Sequence, residues 1–306
     1  MIVYNSIEEF AKTGYESHVA LGFFDGVHLG HRAVIGGCID GRGDRTSVVL
    51  TFAENPAKLL GKADVRLITD NARKAELIAE LGADALIFAD FMRLKDMEAE
   101  DFIRRVLHEQ LRAKRVVCGY NYRFGRFGRG DVSMLKKECA ALGIEVSVCE
   151  PVYCGDRAVS STAVRELLQA GDMALAGRML GYPYAVSGRV GTGNRVGSQM
   201  GYPTVNLPIG EGLIAPRFGV YAARMIIGGK TYRGATNIGV HPTVKESREP
   251  LCETFLLDYH GDGLYGESIV CEPAAFIRQE MKFASIDELT AQIGRDIEEI
   301  KRILQY

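Results

Sequence analysis

Val19-Ala-Leu-Gly-Phe-Phe-Asp-Gly-Val-His-Leu-Gly-His31 is a short apolar run that enters a glycine-punctuated turn and leaves it as a helix. Small residues let the backbone turn sharply there. A helix beginning at such a turn gathers unpaired N–H groups and the positive end of its dipole at one point, so a polyphosphate can sit there without a lysine-rich loop. His28 and His31 stand three apart and share one face of the first helical turn. Taken alone, a His-x-x-His pair is more often a helix cap or two of three zinc ligands. Zinc would need a third ligand, and Asp25 is poorly placed for it on the strand side of the turn.

Outward from this stretch, apolar runs alternate with amphipathic ones. Val19–Phe24, Ser47–Phe52, Ala85–Phe88, Val116–Cys118 and Ile144–Val148 read as strands. Between them, Asp70–Leu81 reads as a helix with Ala75, Ile78 and Leu81 on one stripe and Gly82 behind it. Glu98–Leu111 reads as another, with Phe102, Val106 and Ile103, Leu107, Leu111 at i, i+4 spacing. Repeated strand–helix alternation predicts a doubly wound, Rossmann-like parallel sheet with helices on both faces. Its ligand crevice should lie at the carboxyl ends of the strands.

After Gly181 helical periodicity gives way to β-branched, aromatic and glycine residues until about residue 283. Gly219–Ile227, Gly228-Gly229 and Lys230–Arg233 read as a hairpin, and Glu253–Tyr259 and Ser268–Cys271 as further strands. A closing helix follows, with Ser285 and Glu288 as a capping box and Ile286, Leu289, Ile293, Ile297, Ile300 and Leu304 on one stripe. Two domains are expected, 1–180 and 183–306, from a chain of 306 residues.

An apolar content of 47% is ample for buried cores. With 37 basic against 39 acidic residues the formal charge is −2, so no overall field recruits nucleic acid or an anionic membrane. The first residues lack a basic segment followed by an apolar one, and no long apolar run occurs, which argues against secretion and membrane spanning. Seven cysteines without a Cys-x-x-Cys pair fit reduced core thiols. A cytoplasmic protein is expected.

Three further stretches carry chemistry. Val159–Arg165 places Ser161 and Thr162 hydroxyls at a helix start with Arg165 one turn in, a second set of phosphate donors. Cys118–Asp131 holds aromatics, glycines and arginines that can stack a planar ring or, alternatively, contact single-stranded RNA. In the second half, Gly193, Gly197 and Gly201 allow backbone N–H groups to wrap phosphates. Thr204 and Asn206 then offer two hard oxygens on one side of an extended chain, suited to Mg²⁺. Glu253 opens an apolar strand and is either a solvated edge carboxylate or a base aimed into a cleft.

Gly22-Phe-Phe-Asp-Gly-Val-His-Leu-Gly-His31, the Gly119-to-Asp131 loop and Ser160-Ser-Thr-x-Val-Arg165 closely resemble the adenylyltransferase half of bacterial bifunctional riboflavin kinase/FAD synthetases. That half is similar to the wider nucleotidyltransferases with a His-x-Gly-His signature. The rest resembles the riboflavin kinase domain in six segments. These are Gly201–Asn206, Phe218–Ala222, Asn237–Thr243, Glu253–Tyr259, Leu264–Gly266 and Arg278–Phe283, in that order. The resemblance implies ATP over His28 and His31 in a cradle of Gly22, Phe24, Asp25, Gly26 and Gly30. Ser161, Thr162 and Arg165 would hold phosphates, with Asn121 and Phe124 near the flavin. In the second half it implies a six-stranded antiparallel barrel with a C-terminal helix, Glu253 as the base, and Thr204 and Asn206 on Mg²⁺. Riboflavin, FMN and ATP would be the substrates, with no nucleic-acid or membrane partner and a homo-oligomer left open. Two rivals stand beside this reading: a flavin-binding regulator with one impaired half, and an RNA-contacting protein using the 120–130 loop.

Overall fold

The computed structural model describes residues 1–61, 65–190, 204–240, 250–257, 259, 261 and 264–305. The expected phosphate-loop residues Gly193, Gly197 and Gly201 lie outside them, as does His241-Pro-Thr243. Contacts divide the chain into two compact units, Met1–Ser161 and Thr162–Tyr306, earlier than the boundary expected near residue 180.

The first unit runs β1 (Ile2–Tyr4), α1 (Ile7–Ala11), β2 (Ser17–Leu21), α2 (Leu29–Ile39), β3 (Thr46–Phe52), α3 (Pro56–Leu59), α4 (Asn71–Glu80), β4 (Ala85–Ala89) and α5 (Phe91–Leu94). It continues with α6 (Ala99–Asp101), a π-helix (Phe102–Gln110), β5 (Ala113–Gly119), α7 (Val132–Ala141), β6 (Glu145–Cys149) and the small ribbon of β7 (Tyr153–Cys154) and β8 (Arg157–Ala158). Six strands form one sheet in the order β1-β4-β3-β2-β5-β6, every neighbouring pair parallel. Val19, Ala20, Val48, Val49, Leu86, Ile87, Val116 and Val117 are fully buried, as helices on both faces of a parallel sheet require. This is the Rossmann-like architecture expected. Connections leave β2 toward β3 and β4 on one side and reach β5 and β6 on the other, so the strand order switches between β2 and β5.

Two local expectations are corrected. The strand expected to reach Phe24, β2, ends at Leu21, because Phe24 takes φ +55° and leaves the sheet. The helix expected over 98–111 with α spacing is α only at Ala99–Asp101 and then widens into a nine-residue π-helix. Its last bond, Leu111 N–H to Val106 O at 2.9 Å, spans five residues. Buried Phe102, Ile103, Val106, Leu107 and Leu111 still form one apolar stripe, which is what the periodicity detected.

From Ser161 onward α8 (Ser161–Ala170) and α9 (Met173–Leu180) precede β9 (Val186–Arg189), β10 (Thr204–Pro208), β11 (Gly219–Ile227), β12 (Lys230–Gly239), β13 (Leu251–Leu256), β14 (Ser268–Arg278) and α10 (Ile286–Ile303). The strands pair antiparallel in the order β10-β13-β12-β11-β14-β9, and the two end strands approach each other to leave a nearly closed six-stranded barrel. Gly228 and Gly229 make the β11–β12 turn with φ +55° and +77°, the left-handed pair a two-residue hairpin turn needs. Ser285 caps α10, its Oγ accepting from Glu288 N–H at 3.2 Å, while the Glu288 carboxylate accepts from Ala284 N–H at 3.0 Å. Ile300 and Leu304 then pack on Ala222, Ala235 and Phe255 of the barrel's outer face.

Candidate active sites

Where the strand order of the first unit switches, a cavity of about 820 Å³ opens at the carboxyl ends of β2, β3, β5 and β6. That is room for a nucleotide or a flavin. Gly22, Phe24, His28, Gly30, His31, Asn121, Phe124 and Ser161 all line it. Asp25 and Gly26 stand one layer behind and build the turn instead.

The turn is strained and firmly held. Phe24, Gly26 and Val27 all have positive φ, at +55°, +79° and +37°, although two of them carry side chains. Such residues cost on the order of 1–3 kcal/mol each and persist only where the surroundings over-determine them. Thr51 Oγ1 donates to Phe23 O at 2.8 Å, and Asp25 Oδ1 accepts from Ile68 N–H and Thr69 N–H at 2.9 and 3.3 Å. Gly26 N–H donates to Thr69 Oγ1 at 3.2 Å, and Ser161 Oγ donates to Asp25 O at 2.9 Å. A Cβ on Gly22 would lie 2.8 Å from Cζ of Phe24, so only glycine lets that ring fold back beneath the strand end.

His28 is the N-cap of α2, its Nδ1 accepting from His31 N–H at 3.3 Å. The bland cap reading is therefore right, and it coexists with exposure to the cavity. Because Nδ1 accepts, a neutral His28 carries its proton on Nε2. The two imidazoles stack with centroids 3.6 Å apart and 17° between planes. Burial, aided by His28 and Lys74, pushes His31 well below the usual imidazole range, so it is neutral at pH 7. Its Nδ1 is buried with no partner among the described residues, a polar atom that a bound ligand would satisfy.

Lys74 is a buried neighbour of the histidine turn that the sequence reading missed. Its side chain is fully buried, with Nζ 4.3 Å from the Phe23 ring centroid and donating to Phe52 O at 3.4 Å. Burial draws it down to about 8, partly opposed by Asp25. A signal was there: residues 74, 77, 78 and 81 form one helical stripe, so this lysine faces the sheet.

Phe124 lines the cavity but is a core wedge, packed on Phe102 and Tyr122 with centroids 5.6 and 5.8 Å away. A Cβ on Gly130 would meet its ring at 2.7 Å. Asn121 is exposed at the cavity mouth. Two of this loop's three arginines pair with carboxylates of the same unit, Arg126 with Glu98 at 3.4 Å and Arg123 with Asp131 at 3.8 Å. Ser161 heads α8, and Thr162 and Arg165 follow in its first turns, where the second unit begins.

In the barrel, antiparallel pairing sets Asn206 of β10 directly opposite Glu253 of β13. Thr204, two residues before Asn206, points to the same face. Glu253 in turn opposes Asn237 of β12. Three polar side chains from three strands thus share one row on the barrel's outer face, beyond the patch that α10 covers. Among the described residues no group of three His, Cys, Asp or Glu is arranged to hold a metal, and no helix is long and apolar enough to cross a membrane.

A cavity at a helix mouth in an α/β unit and a carboxylate set among amides on a barrel fit a transferase with two nucleotide-handling centres. Residues 11–163 match the FAD synthetase family and residues 180–304 the riboflavin kinase family. A bifunctional riboflavin kinase/FMN adenylyltransferase from Escherichia coli is 39% identical over 91% of this chain and 90% of its own. The one from Bacillus subtilis is 35% identical over 96% and 93%. A solved structure described as a macrolide-efflux protein from Streptococcus pneumoniae superposes with TM-score 0.87 over 98% of both chains, at 28% identity. This chain belongs to the bifunctional riboflavin kinase/FMN adenylyltransferase family. It makes flavin cofactors, phosphorylating riboflavin to FMN and adenylylating FMN to FAD with ATP as co-substrate of both steps. The regulator and RNA-contact readings are not favoured.

Proposed function

We propose that the adenylyltransferase occupies 1–180 and the kinase 183–306, with the two centres working independently. The observation that carries the kinase assignment is the register of Glu253 against Asn206, which brings a base and a hard oxygen ligand together from strands far apart in sequence. A primary alcohol is a poor nucleophile until its proton has somewhere to go. Glu253 takes the proton from the terminal hydroxyl of the ribityl chain as that oxygen bonds to the γ-phosphorus of ATP and ADP leaves. Thr204 Oγ1 and Asn206 Oδ1 fit Mg²⁺, since both are hard, neutral oxygens on one face and leave room for water and phosphate. When bound, that ion neutralises phosphate charge. Gly193, Gly197 and Gly201 are assigned to phosphate wrapping on their sequence alone.

In the first unit FMN's phosphate is already an anion, so a strong base is unnecessary and positioning carries the step. An FMN phosphate oxygen bonds to the α-phosphorus of ATP as pyrophosphate leaves. His28 Nε2–H, the edge of His31 that has no partner among the described residues and the α2 N-terminus stabilise the charge that builds up. Ser161 serves the phosphates and Asn121 the flavin, while Thr162 and Arg165 are assigned to the phosphates on their sequence alone. Seven free thiols support a reducing, cytoplasmic setting.

Incubation with riboflavin, ATP and Mg²⁺, followed by separation of the flavins, tests these roles. Glu253→Gln should lower kinase turnover roughly 10²–10⁴-fold while supplied FMN is still converted to FAD. His28→Ala should let FMN accumulate without FAD. Equal loss of both activities in either variant contradicts independent centres.

A further inference from the structure

Asn237 sits beside Glu253 on the barrel face with half of its amide committed. Its Nδ2 donates to Glu280 Oε1 at 2.9 Å. A carboxylate only accepts, so this bond fixes which end of the amide is which. Oδ1 is left buried, with no partner among the described residues. A buried acceptor without a donor costs about 1–3 kcal/mol, and this one lies on the same face as Glu253, its direct cross-strand neighbour.

Glu280 is admitted to its place by Gly239. A Cβ on that glycine would stand 2.4 Å from Glu280 Oε1, closer than real contacts allow. Gly239 lies two residues beyond Asn237 on β12, so one strand supplies both the gap for the carboxylate and the amide it clamps. The arrangement builds an oriented acceptor next to the carboxylate assigned as the base.

We propose that Asn237 is a substrate-positioning residue of the kinase centre, its Oδ1 accepting a hydrogen bond from the ribityl hydroxyl next to the one that is phosphorylated. Directly opposed residues on neighbouring strands have Cβ atoms about 5 Å apart, which lets two side-chain tips reach consecutive hydroxyls of one polyol chain. Glu253 engages the terminal hydroxyl, and Asn237 sets the rotation of the chain so that this oxygen faces the phosphate. The inference rests on the reading of Glu253 as the base. It explains why a flavin alcohol with a second hydroxyl alongside would be preferred over a simple primary alcohol.

The test pairs Asn237→Ala with a riboflavin analogue lacking the hydroxyl adjacent to the terminal one, in the full-length protein. A lost neutral hydrogen bond should reduce kcat/KM for riboflavin about tenfold. The unmodified protein should lose about the same factor on the analogue. The variant should lose nothing more on it, and KM for ATP and conversion of supplied FMN should hold in all cases. Losses that multiply to about a hundredfold, or an unchanged kcat/KM for riboflavin, overturn the proposal.

Glu280→Gln guards against a variant that misfolds, since its side chain is exposed. A glutamine can present either end to the amide, so discrimination between riboflavin and the analogue should shrink; full retention of discrimination also overturns the proposal. Running Glu253→Gln alongside keeps the two readings apart. Retained turnover there refutes the base, whereas a fluorescence titration of riboflavin against Asn237→Ala reports the acceptor without any chemistry.

Discussion

Replacing Lys74 by methionine gives the sharpest check on the electrostatics beneath the histidine turn. The ammonium is wholly buried over the Phe23 ring, and burial draws it from 10.5 to about 8. At 1.36 kcal/mol per pH unit, the gap corresponds to about 3 kcal/mol. Its sign follows from where the proton is held. Below about pH 8 both the folded and the unfolded chain keep Lys74 charged, and the folded state carries the full desolvation cost. Between about pH 8 and 10.5 the folded chain releases the proton while the unfolded chain retains it, so this contribution makes stability rise with pH. Integrated from pH 7 to about 9.5, the rise is about 2 kcal/mol. Methionine fills similar volume without the charge and removes this slope. Whatever constant offset comes from repacking or from Asp25, the stability difference between Lys74→Met and the parent protein should shift by about 2 kcal/mol across that range. Urea unfolding followed by hydrogen exchange on peptides from β2 and β3 reads this unit alone. Parallel pH curves for the two proteins would refute a desolvated ammonium at this position.

Gly22→Ala places a methyl 2.8 Å from the Phe24 ring. It should destabilise the first unit by about 1–3 kcal/mol and lower FAD formation more than FMN formation, which flavin separation and a thermal melt together would record. Asp296→Asn removes one charge from a buried pair, since the Asp296 carboxylate takes Arg278 Nε at 3.0 Å and Nη2 at 2.8 Å with side chains 5% and 17% exposed. The loss should be about 3 kcal/mol, seen as earlier release of α10 in hydrogen exchange, while stability of the first unit holds.

Much of this architecture was readable from residue order alone, and the exceptions have physical causes. The buried strands announce themselves because Val48, Val49, Leu86 and Ile87 leave no polar face, and the hairpin does so through Gly228-Gly229. His28 and His31 were legible since the cap of a helix and the third residue beyond it lie side by side. The nearness of Asn206 to Glu253 was legible only through the family resemblance, because a strand's partner depends on loops many residues away that spacing alone does not reveal. Asn237 opened one of the segments that resemble the kinase family, but nothing in the sequence gave it a role: its significance lies in one buried oxygen and the carboxylate that orients its amide. Lys74 was hidden by its type, as lysine on an apolar stripe reads as a solvated exception until its depth is known.

The widened coil over Phe102–Gln110 has a consequence for how this gene product tolerates edits in length. A run bonded five residues apart carries more chain per unit rise than an ordinary helix, and Arg104 and Arg105 are among its exposed positions. Deleting one of them gives the backbone a route back to four-residue bonding with Phe102 and Leu111 still turned inward. Shortening by one residue should therefore be accommodated at this point of the first unit, whereas the same deletion within a neighbouring strand such as β5 would turn every later side chain of that strand to the opposite face.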